Sequence, residues 1–122
     1  MSSELITITN PKSPIAEAYR TLRTNIQFSN VDEDLKVICV TSSGPSEGKT
    51  TTSCNLAETF AQSGKRVLLI DGDLRKPRVH KVFKISGTRG LTNLLAGQLS
   101  LEEVTSYVGS DLTVIPCGPI PP

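Results

Sequence analysis

The stretch Ser43-Gly44-Pro45-Ser46-Glu47-Gly48-Lys49-Thr50-Thr51 constrains the fold more than any other part of the chain. It is a Gly-containing turn between two contrasting segments. Before it, Lys36-Val37-Ile38-Cys39-Val40-Thr41 predicts a short buried strand; after it, about Lys49 to Ser63 predicts a helix. A turn from strand into helix converges backbone N–H groups and the positive end of a helix on one spot, which suits a phosphate. The pattern G-x-x-x-x-G-K-[ST] is met from Gly48 onward, with Ser43 at the first position and Gly44 one place later. In that role the loop amides cradle α- and β-phosphates, Lys49 reaches the β- and γ-phosphates, and the Thr50 hydroxyl ligates Mg²⁺. Thr51 takes the α-phosphate from the first helical turn.

Gly64 is placed to end that helix, and Val67-Leu68-Leu69-Ile70-Asp71 reads as a second strand without polar alternation. Strand, loop, helix and strand within about 36 residues make a βαβ unit, hence a mainly parallel sheet. The second strand ends in Asp71-Gly72-Asp73-Leu74-Arg75, two carboxylates at the end where open α/β sheets bind ligands. Beside a triphosphate, Asp71 and Asp73 can hold Mg²⁺ or accept a proton from an attacking hydroxyl. Arg75, Lys76 and Arg78 make a basic loop that faces either phosphates or solvent. His80, the single histidine, has no partner visible in the sequence and reads as structural.

Elsewhere the signals are local. Residues 1–12 read as a polar lead-in. Ser13 before Pro14 predicts a helix start, and Ile15, Tyr19, Leu22 and Ile26 form an apolar stripe along that helix. Asn30 to Asp34 is a polar break. Leu91, Leu94 and Leu95 predict a short helix ending at Gly97, and Ser100 with Glu103 forms a capping-box signature for a helix from Leu101 to about Val108. Leu112-Thr113-Val114-Ile115 predicts a third strand before a Pro-rich end.

Composition removes several alternatives. Thirteen basic and 12 acidic residues leave a net charge of +1, so no global field favours nucleic acid or an anionic membrane. Trp is absent and aromatics are few, which argues against base-stacking platforms. Cys39, Cys54 and Cys117 are odd in number and widely spaced, the pattern of buried free thiols in a reducing compartment. No apolar run approaches the length of a membrane span.

Taken together, these motifs resemble the bacterial tyrosine kinases (BY-kinases) of capsule and exopolysaccharide biosynthesis, within the deviant P-loop group that includes the ParA and MinD ATPases. Ser43 to Thr50 looks like the Walker A loop. Leu68 to Arg75 looks like the Walker A′ motif, a hydrophobic triplet followed by D-x-D-x-R. Glu17, Arg20 and Arg23 match the family's E-x-x-R-x-x-R motif; three-residue spacing drifts about 60° per step, so the three span one polar flank of a helix. By itself that flank is an ordinary solvated face.

The resemblance implies a three-layer αβα P-loop fold, ATP and Mg²⁺ as cofactors, and an autophosphorylating protein-tyrosine kinase. Lys49, Asp71, Asp73 and Arg75 would be its catalytic residues. It implies a ring-shaped homo-oligomer through Glu17, Arg20 and Arg23, and a transmembrane adaptor whose cytoplasmic tail activates the kinase. The short polar N-terminus fits the separate, cytoplasmic type, recruited to the inner face of the membrane. On this reading residues 1–122 are the N-terminal portion of one kinase domain, with the Walker B strand and Tyr-rich tail expected beyond Pro122. The portion alone is expected to be inactive. Two alternatives stay open: a ParA/MinD-type positioning ATPase, against which Gly44 stands where that group carries a signature Lys, and a nucleotide-binding regulatory half-domain without turnover.

Overall fold

The structure is a computed structural model and describes residues 5–29, 36–40, 48–109 and 111–120. The loop residues Ser43, Gly44, Pro45, Ser46 and Glu47 and the polar break at 30–34 lie outside them.

Helix α2 (Pro14–Phe28) begins where its cap predicts: the Ser13 side chain accepts a hydrogen bond from the Ala16 N–H, with Pro14 in the first turn. Helix α3 (Lys49–Gln62) follows the loop, and Gly64 past its end adopts φ +91°, a conformation open to glycine. Strand β1 (Val67–Ile70) pairs in parallel with β3 (Leu112–Ile115), Val67 opposite Leu112 and Ile70 opposite Ile115. Helix α5 (Leu91–Leu95) is followed by Gly97 at φ +72°. Helix α6 (Leu101–Val104) carries the predicted box, with the Ser100 N–H donating to Glu103 Oε1 and the Glu103 N–H to Ser100 Oγ.

Several expectations are corrected, each by a tertiary effect. Residues 36–40 join no strand among the described residues, and Val37 is 83% exposed. An isolated extended segment has no neighbour to satisfy its backbone groups, so apolar composition alone does not make it a strand. Cys39 is accordingly exposed, whereas Cys54 and Cys117 are buried free thiols. The helix at 101–108 stops at Val104, because Thr105 turns extended and Ser106–Tyr107 forms β2, antiparallel to β3. The sheet is therefore mixed, in the order β1-β3-β2. The supposed lead-in contains a helical turn, α1 (Ile6–Thr9), with Leu5 and Thr7 buried. After the basic loop the chain forms a short helix, α4 (Val79–Val82).

The core lies between α3 and one face of the sheet. Cys54, Ala57 and Ala61 of α3 pack with Leu112 and Val114, and Val67 and Leu69 lie against that cluster. Small side chains on α3 let the helix settle closely on the sheet. Leu68 and Ile70, on the opposite face of β1, remain half exposed, so the strand is not covered on both sides by described residues. The apolar stripe of α2 also departs from expectation. Ile15 is 59% exposed, and the buried residue is Ala16, because the helix turns its Ala16 side inward.

Behind the core, Asn55 in the middle of α3 ties the N-terminal turn down. Its Oδ1 accepts from the Thr7 N–H and hydroxyl, and its Nδ2 donates to the Thr51 carbonyl. At the carboxyl end of β3, the Leu91 and Thr92 N–H groups donate to the Pro116 and Cys117 carbonyls at 2.8 and 2.9 Å. That docking requires Gly90: a Cβ there would lie 2.2 Å from the Pro116 oxygen. Gly90→Ala should lower unfolding stability in urea by at least about 2 kcal/mol, the range of backbone overpacking; an unchanged midpoint would show that the loop moves aside freely.

Candidate functional site

The site is where the amino end of α3 meets the carboxyl end of β1. Gly48 precedes α3 at φ +75°, a left-handed backbone that L side chains rarely adopt. No side chain caps the helix and its first turn holds no acidic residue. Among the described residues no side-chain cap or first-turn acid meets the leading N–H groups and the positive helix end, the condition under which a phosphate is held. Lys49, Thr50 and Thr51 occupy that first turn and are all partly accessible.

Across from them, the Asp71 N–H donates to the Ile115 carbonyl at 2.9 Å, extending the parallel ladder one residue past β1. Asp71 is only 5% exposed. Its Oδ1 accepts from the Asp73 N–H at 3.0 Å and its Oδ2 from the Val79 N–H at 3.2 Å. A buried carboxylate is tolerable with such donors, because charge-assisted bonds offset its lost hydration. Asp73 continues the pattern, with Oδ1 accepting from the Arg75 and Lys76 N–H groups, both at 3.0 Å. Its other oxygen lies 3.5 Å from Lys49 Nζ.

The loop from Gly72 to Arg78 is therefore pinned by two carboxylates, and one of them also meets the phosphate-loop lysine. The backbone bonds from Lys76 and Arg75 hold the Asp73 carboxyl below its usual pKa, with the Lys49 charge assisting. Behind both acids, burial pushes the Cys117 thiol up, and the charges of Asp71 and Asp73 add to that. Cysteine 117 is thereby kept as a neutral filler.

Among the sequence candidates, the structure brings together Gly48, Lys49, Thr50, Thr51, Asp71 and Asp73. Arg75 stays exposed on the loop rim. His80 is used structurally, its ring lying against Gly87, where a Cβ would come within 2.8 Å. Glu17, Arg20 and Arg23 sit on α2 and divide in two. Glu17 and Arg20 pair at 2.9 Å on the surface, where Arg20 also donates to the Pro11 carbonyl. Arg23 turns inward and donates to the Thr59 carbonyl of α3 at 3.1 Å.

The donors fit magnesium. Thr50, Asp71 and Asp73 offer hard oxygens only, and Mg²⁺ characteristically binds through one or two carboxylates plus substrate phosphates. Among the described residues no group of three or more His, Cys, Asp or Glu side chains forms a self-contained metal cage. What the motifs did not reveal is the support behind them: Asn55, Thr7, Cys117 and the Val79 N–H. A polar Asn between Cys54 and Leu56 on a helix facing a sheet was the one available signal.

A family model described as the CobQ/CobB/MinD/ParA nucleotide binding domain matches residues 37–110. The chain belongs to this family. This MinD/ParA-type domain is similar to the tyrosine-protein kinase YwqD of Bacillus subtilis, at 50% identity over 123 residues, covering 100% of the chain and 52% of that relative. The crystal structure of the chimerical protein CapA2B2 superposes with a TM-score of 0.92 at 41% identity, covering 100% of the chain and 54% of the other. The kinase domain of the Escherichia coli tyrosine kinase ETK gives 0.91 at 36% identity, covering 97% and 47%. The chain spans about half the length of these relatives. These likenesses bear out the α/β P-loop NTPase class and the resemblance to bacterial tyrosine kinases.

The lowered pKa of Asp73 has a definite sign. A carboxyl held below its unfolded value of about 3.9 stabilises the fold fully above that value. The contribution disappears as pH falls through the lower folded value. The stability gap between the native protein and Asp73→Asn in urea unfolding should therefore be widest near neutrality and close as pH falls below the ordinary carboxylate range. A gap independent of pH would mean that the charge on Asp73 does not hold the loop.

Proposed function

We propose that this domain is the nucleotide-binding part of an ATP- and Mg²⁺-dependent, autophosphorylating protein-tyrosine kinase that serves capsular or exopolysaccharide biosynthesis. The observation that carries the reading is the 3.5 Å approach of Lys49 to Asp73 across the mouth of an uncapped helix. It joins a phosphate-binding cation to a carboxylate able to accept a proton or a metal. The similarity to YwqD and to the ETK kinase domain supports a tyrosine hydroxyl as the acceptor.

Phosphoryl transfer asks a protein mainly for positioning and charge neutralisation. The loop from Ser43 to Gly48 and the amides of the first α3 turn hold the phosphates, and Lys49 leaves Asp73 to neutralise their outer oxygens. Thr50, Asp71 and Asp73 would hold Mg²⁺, which when bound spreads the charge of the transferring group. Asp73, the more accessible acid, would assist the metal or accept the proton of the tyrosine hydroxyl. Asp71 keeps the loop in shape through the Asp73 and Val79 N–H groups. Arg75, at the rim, meets phosphate or an acidic substrate.

The same reading extends to assembly. In the Glu17–Arg20 pair on α2, Glu17 is exposed and Arg20 partly so, within reach of a neighbouring copy in a ring, whereas Arg23 turns inward to the Thr59 carbonyl. No helix among the described residues is long and apolar enough to cross a membrane. The kinship with capsule and exopolysaccharide tyrosine kinases supports recruitment to the inner membrane face by the cytoplasmic tail of a transmembrane adaptor.

Lys49→Met in the full-length protein should lower phosphotyrosine formation at least about 100-fold, the scale of losing one charge-stabilising group; undiminished labelling would sink the assignment of the loop. Arg20→Ala should reduce the assembled mass measured by light scattering, and an unchanged mass would remove α2 from the ring.

A further inference from the structure

Away from the phosphate crevice, a cavity of about 260 Å³ opens beside α1, α3 and α4. Its walls include Ile8, Val82, Phe83 and Val108, and two charged residues line it, Glu58 and Lys84. The apolar walls are continuous with the core: Val82 belongs to the buried cluster, and Ile8, Phe83 and Val108 pack against it. The volume falls just below the range of drug-sized ligand pockets, which begins at about 300 Å³, so only a small molecule fits. Such pockets are mostly apolar with a few placed polar groups, which is the composition found here.

Two features set this cavity apart from a packing defect. Glu58 lies on α3 among the apolar walls, and burial raises the pKa of its carboxyl while a hydrogen bond with Gln62 opposes the rise. Among the described residues no cation pairs with that carboxyl. Lys84 is the single non-glycine residue with positive φ among those described, at +55°. It follows the end of α4 at a position that glycine or asparagine ordinarily fills. That backbone is uncommon for lysine, whose exposed side chain lies beside the cavity. Glu58 and Lys84 form no ion pair with each other, so the cavity presents an anion and a cation separately.

We propose that this cavity is a second ligand site, for a small zwitterion with an apolar body, of which a free apolar α-amino acid is the simplest. The ammonium group pairs with Glu58, the carboxylate with the exposed Lys84, and the side chain fills the space between Ile8, Val82, Phe83 and Val108. A purely cationic ligand would satisfy Glu58 but meet the Lys84 charge, and a purely anionic one would meet Glu58. The site is independent of the nucleotide assignment, sharing with it only the helix that carries both.

The test is titration of the ¹⁵N-labelled protein with L-leucine, followed by amide shifts. Saturable shifts are expected at Ile8, Glu58, Phe83, Lys84 and Val108. Glu58→Gln and Lys84→Asn should each weaken binding about tenfold or more, the effect of losing one charge-assisted contact. Lys84→Asn removes the charge while suiting the left-handed backbone, so the fold survives. Lys84→Arg should retain binding, and hexylamine and hexanoate, each carrying one charge, should bind about tenfold more weakly than leucine. No saturable shifts, binding indifferent to both charge variants, or hexylamine binding as tightly as leucine would overturn the proposal.

Discussion

A buried carboxylate, that of Asp71, organises the mouth of this domain. Removed from water, it would be unfavourable by several kcal/mol without donors, and the chain supplies them from its own backbone at Asp73 and Val79. The two bonds bring the loop after β1 back on itself and start α4 where it starts. They also set Asp73 facing α3, with its second oxygen toward Lys49. Replacing Asp71 by an apolar residue would leave the Val79 N–H buried without its acceptor, so the chemistry and the fold share one side chain. The acidic motif therefore reads differently in three dimensions than in one. The first acid holds the turn and the second presents its charge.

The helix carrying Lys49 is fixed from behind by polar ties as well as by its apolar face. Asn55 receives two hydrogen bonds from Thr7 and returns one to Thr51, and Arg23 reaches the Thr59 carbonyl from α2. Buried polar groups of this kind add little net stability but fix orientation, because any rotation of α3 leaves them unpaired. A phosphate-binding helix needs that precision. Its first-turn amides act only along the directions in which they point.

Legibility followed the range of the forces involved. The Ser13–Pro14 start, the Ser100–Glu103 box and the Gly64 and Gly97 terminators are decided within four or five residues, and each stands where the sequence placed it. The Gly48–Lys49–Thr50 junction and the Asp71/Asp73 pair were legible for the same reason. Residues whose state depends on a distant partner were not. Val37 and Ile38 have strand composition yet no neighbouring strand among the described residues. Ser106 and Tyr107 left a helical pattern because β3 offered an antiparallel edge. Leu5 and Thr7 looked like a polar lead-in until Asn55, 48 residues away from Thr7, supplied their reason to be buried. In α2 the stripe was real as a pattern, but the helix buries the small Ala16 and leaves Ile15 and Leu22 exposed.

The charges at the mouth carry one more consequence for the proposed kinase. Asp71 and Asp73 place two negative charges beside the position assigned to a triphosphate, with Lys49 facing Asp73. Like charges about 4 Å apart repel by roughly 4 kcal/mol at an effective dielectric near 20. A phosphate entering the helix end draws Lys49 away from Asp73, which leaves that carboxylate without its cation at the moment more negative charge arrives. Backbone N–H donors from Arg75 and Lys76 keep Asp73 ionised, so protonation is a poor escape. Mg²⁺ held by Thr50, Asp71 and Asp73 would supply the missing positive charge, and Asp73 would regain a cationic neighbour in place of Lys49. On this reading nucleotide and metal bind as one unit, and the Lys49–Asp73 pair is the state that their joint arrival replaces.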